Sequence, residues 1–285
     1  DDIIFDWLQE KAYPDHPLGR TILGPEERVG AFSRADLTGF VNEHYGPGQM
    51  VLAAAGAVDH DAIVRAAEKL FGDMTPKAPY TPDAARFAGG ESRRVKALEQ
   101  AHFALAFEGP DYAHPDIFTA QIYASALGGS MSSRLFQEIR EQRGLCYTIF
   151  AQAGAYSDTG MLTIYAGTSA AEMANLAQIT VDEMKRAAED FTSEEIERAR
   201  AQMKAGLLMG LESPSNRAER LARTLQIWGR VPDLPEVVER IDAVTLQDVR
   251  RLAQTTISDA PAAMALYGPV EAAPSLEALQ DRRAA

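Results

Sequence analysis

Histidine, cysteine and acidic side chains most often hold metals or carry out acid–base and nucleophilic catalysis, and this chain spreads them widely. No two of its five histidines lie within four residues of each other, so no pair of imidazoles shares a helical face as in H-x-x-E-H. The sequence contains neither the phosphate loop G-x-x-x-x-G-K-[ST] nor the nucleophile turn G-x-S-x-G. We therefore expect surface or structural roles for His16, His44, His60, His102 and His114.

The single cysteine and a short acidic run are the other candidates for chemistry. Cys146 lies in an apolar stretch, which favours an inert buried thiol over a nucleophile. One cysteine also excludes an intrachain disulfide and a Cys-rich metal site. The acidic cluster at Glu194, Glu195 and Glu197 is typical of the solvated first turn of a helix, with Thr192 and Glu195 forming a capping box.

Composition narrows the class of protein. The composition, 46% hydrophobic and 24% charged, is typical of a globular chain. The length of 285 residues predicts two domains. The net charge of -13 argues against a general nucleic-acid binder, which needs a basic surface. No apolar run approaches the ~20 residues that span a bilayer. The sequence starts at Asp1 without a Met or a signal peptide, so we expect its true beginning to lie elsewhere, and the compartment is not indicated.

Two segments of the chain match each other 212 positions apart. In residues 27–37 and 239–249, Ser33 aligns with Thr245, and each is followed three residues later by an Asp, as in a helix N-cap with an acidic first turn. In residues 50–58 and 262–270, short apolar runs end at a Gly. We predict a capped helix and then a strand buried on both faces in each copy. The alternative is a chance similarity between two common helix–strand units.

The repeat predicts a domain organisation. The second copy begins near Arg93, after a Pro-rich loop at 75–82 and the turn Gly89–Gly90. The same offset places the start of the first copy about 120 residues before Asp1. We therefore expect residues 1–88 to be the C-terminal part of a first domain and residues 89–285 to be a second, homologous domain.

In the second domain the sequence predicts a few strands and many helices. Strands are predicted at 102–108, 145–153 and 161–166, the last two forming an antiparallel pair. Helices are predicted at 115–127, 131–143 (ending at Gly144), 171–188, 192–209, 215–228 and 245–256. This arrangement indicates an α+β fold rather than a doubly wound parallel sheet.

The segment Ser133–Tyr147 resembles the second-domain signature of the pitrilysin family of zinc peptidases, which includes insulin-degrading enzyme and mitochondrial processing peptidase. The similarity extends over nearly the whole chain and points to the bacterial processing-peptidase-like branch. Further matching segments are 2–6, 17–24, 51–56, 157–160 and 241–245.

The resemblance implies duplicated α/β-sandwich domains, each an antiparallel-rich sheet with helices packed on it, the first truncated at its N-terminus. It implies a parent zinc metalloendopeptidase that cleaves peptides or small unfolded proteins inside a two-domain clamshell, binding the extended peptide at a sheet edge. The family's H-x-x-E-H motif and its distal Glu would lie upstream of Asp1. We therefore expect zinc in the intact parent and no metal ligands or activity in this chain alone.

The resemblance also assigns the site residues. The family has an Arg and a Tyr seven residues apart that reach the substrate from the second domain, and these match Arg140 and Tyr147. A guanidinium and a phenol can both donate hydrogen bonds to the carbonyl at the cut site, where oxyanion charge develops. The alternative is that Arg140 pairs with a neighbouring carboxylate and Tyr147 packs within its strand.

The family leaves two functions open. It includes noncatalytic subunits that lost the metal motif and structural core subunits of respiratory complexes, so the chain could come from such a partner. The partners implied are an extended peptide substrate and a second copy or a related subunit in a homodimer or heterodimer. The upstream sequence discriminates between the two functions, because only the peptidase needs H-x-x-E-H.

Overall fold

The computed structural model describes residues 2–78, 81–258 and 260–284. The described strands are β1 (Gly90–Val95), β2 (Ala101–Gly109), β3 (Cys146–Ala155), β4 (Gly160–Thr168) and β5 (Ala262–Gly268). The described helices are α1 (Ile3–Ala12), α2 (Glu26–Ala31), α3 (Arg34–His44), α4 (His60–Phe71), α5 (Ile117–Gly128), α6 (Met173–Asp190), α7 (Ser193–Gly210), α8 (Pro214–Trp228), α9 (Leu234–Asp242), α10 (Leu246–Ile257) and α11 (Leu276–Ala284).

The chain forms two compact units. The sheet unit comprises Asp1–Thr21, Ala85–Ala205 and Leu234–Ala285, and the helical unit comprises Ile22–Ala84 and Gly206–Asp233. These units are defined by contacts. The predicted boundary between residues 88 and 89 separates the two copies of the repeat and not the two compact units. It stays a prediction.

The sheet unit contains one five-stranded sheet in the order β1-β5-β2-β4-β3. Every neighbouring pair is antiparallel except β1 and β5. Strands β3 and β4 form the predicted hairpin, with Ala155 paired to Gly160 across the turn. The α+β prediction is confirmed, and β3 and β1 are the two edges of the sheet.

Helices cover both faces of the sheet. Successive side chains of a strand point to opposite faces, so Ala104 and Ala106 of β2 lie under α1 with Ile4 and Leu8. The alternate residues of β2 are buried on the other face, which α5, α6 and α11 cover through their contacts with β4, β2 and β5. The sheet is therefore a rigid support for the segments that leave its strand ends.

The helices of the predicted repeat have the same N-terminal cap. Ser33 and Asp36 form a reciprocal capping box at the start of α3, and Thr245 and Asp248 form the same box at the start of α10. In both boxes the carboxylate accepts hydrogen bonds from the cap residue, which lowers the pKa of the Asp. This half of the repeat prediction is confirmed at atomic detail.

The strand of the repeat forms in only one copy. Gly56 and Gly268 both have positive φ, and Val58 and Val270 each donate a backbone hydrogen bond to that glycine, so the two ends are locally alike. β5 pairs with β1 and β2, as predicted for a strand buried on both faces. The prediction for residues 50–58 is wrong: no strand is present there, because none of the described residues forms a neighbouring strand with which it could pair.

Across the described ranges, no helix has both the length and the apolar character that crossing a bilayer requires.

Candidate functional site

The signature segment folds as a helix with one wide turn. Residues 134–135 are α-helical, and Phe136–Glu141 form a π-helical turn. Gln142 donates its backbone hydrogen bond to Gln137, five residues back rather than four. The predicted helix at 131–143 is therefore shorter and of a different type. A π-turn holds one extra residue, and such turns are frequent at functional sites.

Gly144 ends this helix and turns the chain toward β3. Its φ is +64°, a left-handed conformation that glycine adopts without strain. Its N–H donates to the carbonyl of Arg140 at 3.1 Å, and the N–H of Leu145 donates to the carbonyl of Ile139 at 3.0 Å. These bonds satisfy the last carbonyls of the helix. The predicted stop at Gly144 is confirmed.

Tyr147 lies in a β-bulge at the start of β3. Cys146 pairs with Thr168 and Thr148 pairs with Gly167, so Tyr147 has no residue opposite it. Its side chain is 77% exposed. The alternative in which Tyr147 packs within the strand is therefore wrong. Bulges redirect side chains, and here the extra residue points the phenol out of the sheet.

The π-turn and the bulge bring the two predicted site residues together. The guanidinium carbon of Arg140 lies 5.7 Å from the ring centroid of Tyr147 and 4.5 Å from that of Phe136. The contact of Arg140 with Glu141 is long, 4.0 Å between Nε and Oε1. Stacking on a ring leaves the guanidinium N–H groups in its plane available as donors. The arrangement can therefore offer an arginine fork and a phenolic hydroxyl to one acceptor.

A groove of about 240 Å³ opens beside Tyr147 at the ends of β2, β3 and β4. Its lining combines the apolar Leu145 with polar residues that include Gln100, Thr168 and Glu172. Cys146 also lines it, but burial raises the pKa of its thiol to about 11. The buried thiol predicted from the sequence is confirmed, and a raised pKa leaves little thiolate at neutral pH.

Arg134, which the sequence interpretation did not single out, anchors the signature segment. Its guanidinium donates to both carboxylate oxygens of Glu195 at 2.9 Å, contacts Asp190 and lies 4.7 Å from the ring of Phe191. Burial opposes the charge of Arg134, but the hydrogen bonds to Asp190 and Glu195 outweigh it and raise its pKa. The pair is 61 residues apart, and no local pattern signals it.

Glu195 has two roles. It accepts a hydrogen bond from the backbone N–H of Thr192, as the predicted capping box requires. It also carries the ion pair with Arg134 and is largely buried. The interpretation of the acidic cluster as a solvated helix N-terminus is confirmed for Glu194 and Glu197, which are both exposed, and is wrong for Glu195.

A buried carboxyl lies near the same segment. Glu183 of α6 accepts a hydrogen bond from Arg186 at 2.8 Å, and its second oxygen has no partner within the described residues. Burial raises the pKa of Glu183 most strongly, Arg186 opposes this, and the charge of Glu138 in the π-turn adds to it.

The buried histidine has a structural environment. Nδ1 of His102 lies 2.8 Å from the hydroxyl of Tyr165, and burial lowers the pKa of the imidazole. In the parts of the chain that the structure describes, no group of three or more His, Cys, Asp or Glu side chains could hold a metal ion. The described residues therefore contain no set of side chains that fits a zinc site.

Comparison with known proteins assigns a family. Residues 31–203 match the family model described as the peptidase M16 inactive domain. The chain is 36% identical over 279 residues to the uncharacterized zinc protease YmxG of Bacillus subtilis, covering 96% of this chain and 67% of that protein. It is 35% identical to the probable mitochondrial-processing peptidase subunit beta of Schizosaccharomyces pombe, covering 95% and 63%.

The fold has a close counterpart among solved structures. A chain of complex III2 from Candida albicans, with Inz-5 bound, superposes with a TM-score of 0.90 at 21% identity, covering 99% of this chain and 70% of that one. This chain spans about two thirds of the length of the curated relatives that it matches. On the extent of these matches, the chain belongs to the peptidase M16 family of zinc proteases and processing peptidases, as the resemblance in its sequence predicts.

Proposed function

We propose that Arg140 and Tyr147 bind the carbonyl of a peptide at its cleavage site. The observation that carries this proposal is their proximity, with the guanidinium 5.7 Å from the phenol ring and the phenol exposed. Both groups donate hydrogen bonds, and neither donates to another protein group in any bond that the described residues show. Donors fixed where negative charge develops stabilise the transition state more than the substrate.

The parent protein, in this proposal, is a zinc metalloendopeptidase that acts on peptides or small unfolded proteins between two domains. The names of the bacterial relatives, which call them zinc proteases, support zinc chemistry in the family. The described residues lack a metal-binding cluster, so the metal ligands belong to another part of the parent. This chain by itself is then inactive, and its contribution is to bind the peptide.

The same proposal assigns residues 1–88 to the C-terminal part of the first domain and residues 89–285 to the second. It is supported by a difference in exposure between equivalent positions of the two copies: Leu37 is 58% exposed, whereas Val249 is fully buried. Apolar side chains that are exposed at several such positions indicate a surface that another segment covers. The other equivalent pairs, exposed in the first copy and buried in the second, are Val29 and Ile241, Phe32 and Val244, Val41 and Ala253, Met50 and Ala262, Leu52 and Met264, and Val58 and Val270.

A noncatalytic partner or structural core subunit is the second candidate. It is favoured by the S. pombe relative, which is named as one subunit of a larger enzyme, and such a chain would work in a heterodimer. The first test is to read the upstream part of the gene for H-x-x-E-H. Absence of the motif there would overturn the peptidase proposal in favour of this candidate.

The second test is kinetic. In the intact protein, Arg140→Ala and Tyr147→Phe should each lower kcat for peptide cleavage by roughly 10²–10³ with zinc content unchanged. The double variant should lose less than the product of the two single effects if both serve one carbonyl. Arg143→Ala is the matched control, since Arg143 is on the same helix end with an exposed side chain. Wild-type rates in both single variants would refute the role of the pair.

A further inference from the structure

Phe136 begins the π-turn that carries Arg140, four residues further along the chain. Residues at this spacing lie on one face of a helix, and the guanidinium carbon of Arg140 is 4.5 Å from the centroid of the Phe136 ring. The ring of Tyr147, at 5.7 Å, is the second aromatic neighbour of the same guanidinium. Both distances are within the range of a cation–π contact, so two rings limit the directions in which this side chain can point.

The burial of the turn leaves Phe136 available for this contact. Leu135 and Ile139, on either side of Phe136, are both fully buried. The turn packs against β3 and α6, whereas Phe136 itself is only partly buried. The neighbours of Phe136 therefore supply the apolar packing of the turn, and its own ring lies over the guanidinium.

The acidic side chains of the turn do not neutralise Arg140. Glu138 lies 4.0 Å from the guanidinium of Arg143. Glu141 is 54% exposed, and its Oε1 is 4.0 Å from Nε of Arg140, which is beyond hydrogen-bond distance. A carboxylate in bidentate contact would occupy the N–H donors of the guanidinium, whereas a ring contacts only its flat face. The Phe136 ring therefore restrains the guanidinium without using the donors that a substrate would need.

We propose that Phe136 is a positioning residue for Arg140, because its ring holds the guanidinium in the orientation that meets the carbonyl of the substrate. This inference rests on the proposed function and adds a residue on which the role of Arg140 depends. A free arginine side chain has many rotamers, and fixing it before the substrate binds removes that entropic cost from the reaction. Loss of the ring should therefore slow the chemical step, but less than loss of the guanidinium.

The kinetic test compares two variants of Phe136 in the intact protein, with a quenched fluorescent peptide as substrate. Phe136→Leu removes the ring and keeps an apolar side chain, whereas Phe136→Tyr keeps the ring. Phe136→Leu should lower kcat by about five- to thirtyfold. It should change KM by less than about twofold, because the hydrogen bond strengthens as charge develops on the carbonyl oxygen. Phe136→Tyr should keep kcat within about threefold of the wild type.

A matched control removes another ring from an arginine. Phe118 lies 4.8 Å from the guanidinium carbon of Arg240, and neither residue lines the groove beside Tyr147. Phe118→Leu should therefore leave kcat unchanged. A wild-type kcat in Phe136→Leu would overturn the proposal, and so would equal losses of kcat in Phe136→Leu and Phe136→Tyr.

A double-mutant cycle distinguishes a positioning role from a direct contact with the substrate or a role in the fold. In an Arg140→Ala background, Phe136→Leu should lower kcat by less than about twofold, because the group that it orients is already gone. A loss as large as in the wild-type background would show that the ring acts by another route and would overturn the proposal.

Nuclear magnetic resonance provides a test that needs no substrate and uses the 285-residue chain. The ring current of Phe136 should shift the Hδ resonances of Arg140 upfield. Phe136→Leu should reduce that shift, whereas Phe136→Tyr and Phe118→Leu should preserve it. Unchanged Arg140 resonances in Phe136→Leu would overturn the proposal. If Phe136→Leu does not fold, the wild-type chain decides, because the absence of nuclear Overhauser contacts between the Phe136 ring and the Arg140 side chain would also overturn it.

The outcomes separate this inference from the proposed function. If Arg140→Ala slows cleavage and Phe136→Leu does not, only the positioning role of Phe136 fails. If Arg140→Ala leaves cleavage unchanged, the carbonyl role fails, and the Arg140 resonances still show whether the ring of Phe136 fixes the guanidinium.

Discussion

The ion pair of Arg134 and Glu195 should contribute more to stability than any exposed pair of the same geometry. The Arg134 side chain is 9% exposed and that of Glu195 is 18% exposed. Arg282 and Asp182 form an equally well-aligned bidentate pair, at 2.7 and 2.6 Å, but their side chains are 41% and 37% exposed. Water screens the second pair more than the first, so the couplings within the two pairs can be compared for the effect of burial.

A double-mutant cycle measures each pair. Glu195→Gln is the suitable partner for Arg134→Met, because Gln also completes a capping box at the start of α7. Arg134→Met leaves Glu195 unpaired in a largely buried position, which should destabilise the fold by about 3 kcal/mol, the lower end for a broken buried pair, since Asp190 is half-exposed. The coupling within the cycle should be about 2 kcal/mol. The control cycle, with Arg282→Met and Asp182→Asn, should give about 1 kcal/mol or less.

Urea unfolding followed by circular dichroism provides the free energies for both cycles. High salt should reduce the coupling of the exposed pair and leave that of the buried pair nearly unchanged. Equal couplings in the two cycles, or an Arg134→Met variant within about 0.5 kcal/mol of the wild type, would refute the reasoning that burial and bidentate geometry make this pair the anchor of the signature segment.

Two further predictions concern the same region. Gly144→Ala should lower the free energy of unfolding by about 1–2 kcal/mol, because φ is +64° there and no atom lies near the added Cβ, so the loss is backbone strain alone. Gly206→Ala, in the interior of α7 with equally open space, should instead stabilise by roughly 0.5–1 kcal/mol, and the same sign for both variants in urea unfolding would contradict this. Glu183→Gln should stabilise the protein increasingly as pH rises from below 4.5 to neutral, since a raised pKa in the folded state means that folding disfavours the carboxylate. A difference in urea midpoints that does not change with pH would contradict that assignment.

The local features of the fold could be predicted because their causes are local. The capping boxes at Ser33, Thr192 and Thr245 each depend on four consecutive residues, and all three are present. The β3–β4 hairpin and the stop at Gly144 likewise need only the sequence around a turn. Such elements are set by hydrogen bonds that a residue makes with its immediate neighbours.

The features that the sequence did not predict correctly depend on distant residues or on a single extra residue. The strand at 50–58 has the right composition, but a strand needs a neighbour, and the described residues provide none. The ion pair of Arg134 with Glu195 joins two segments 61 residues apart. The π-turn and the bulge each change the chain by a single residue, which hydrophobic periodicity does not register.

Those two single-residue irregularities explain how an Arg and a Tyr seven positions apart meet at all. In a regular helix each residue advances about 100°, so the extra residue of the π-turn changes the direction of Arg140 relative to the strand that follows. In a regular strand Tyr147 would be paired across to β4, and the bulge frees it from that register. Gly144 lies between the two and absorbs the change of direction with its positive φ. The placement of the pair therefore comes from three local distortions in series. The helix that contains the π-turn is tied to α7 through Arg134, the bulge lies in the pairing of β3 with β4, and Gly144 donates to a carbonyl at the end of the helix.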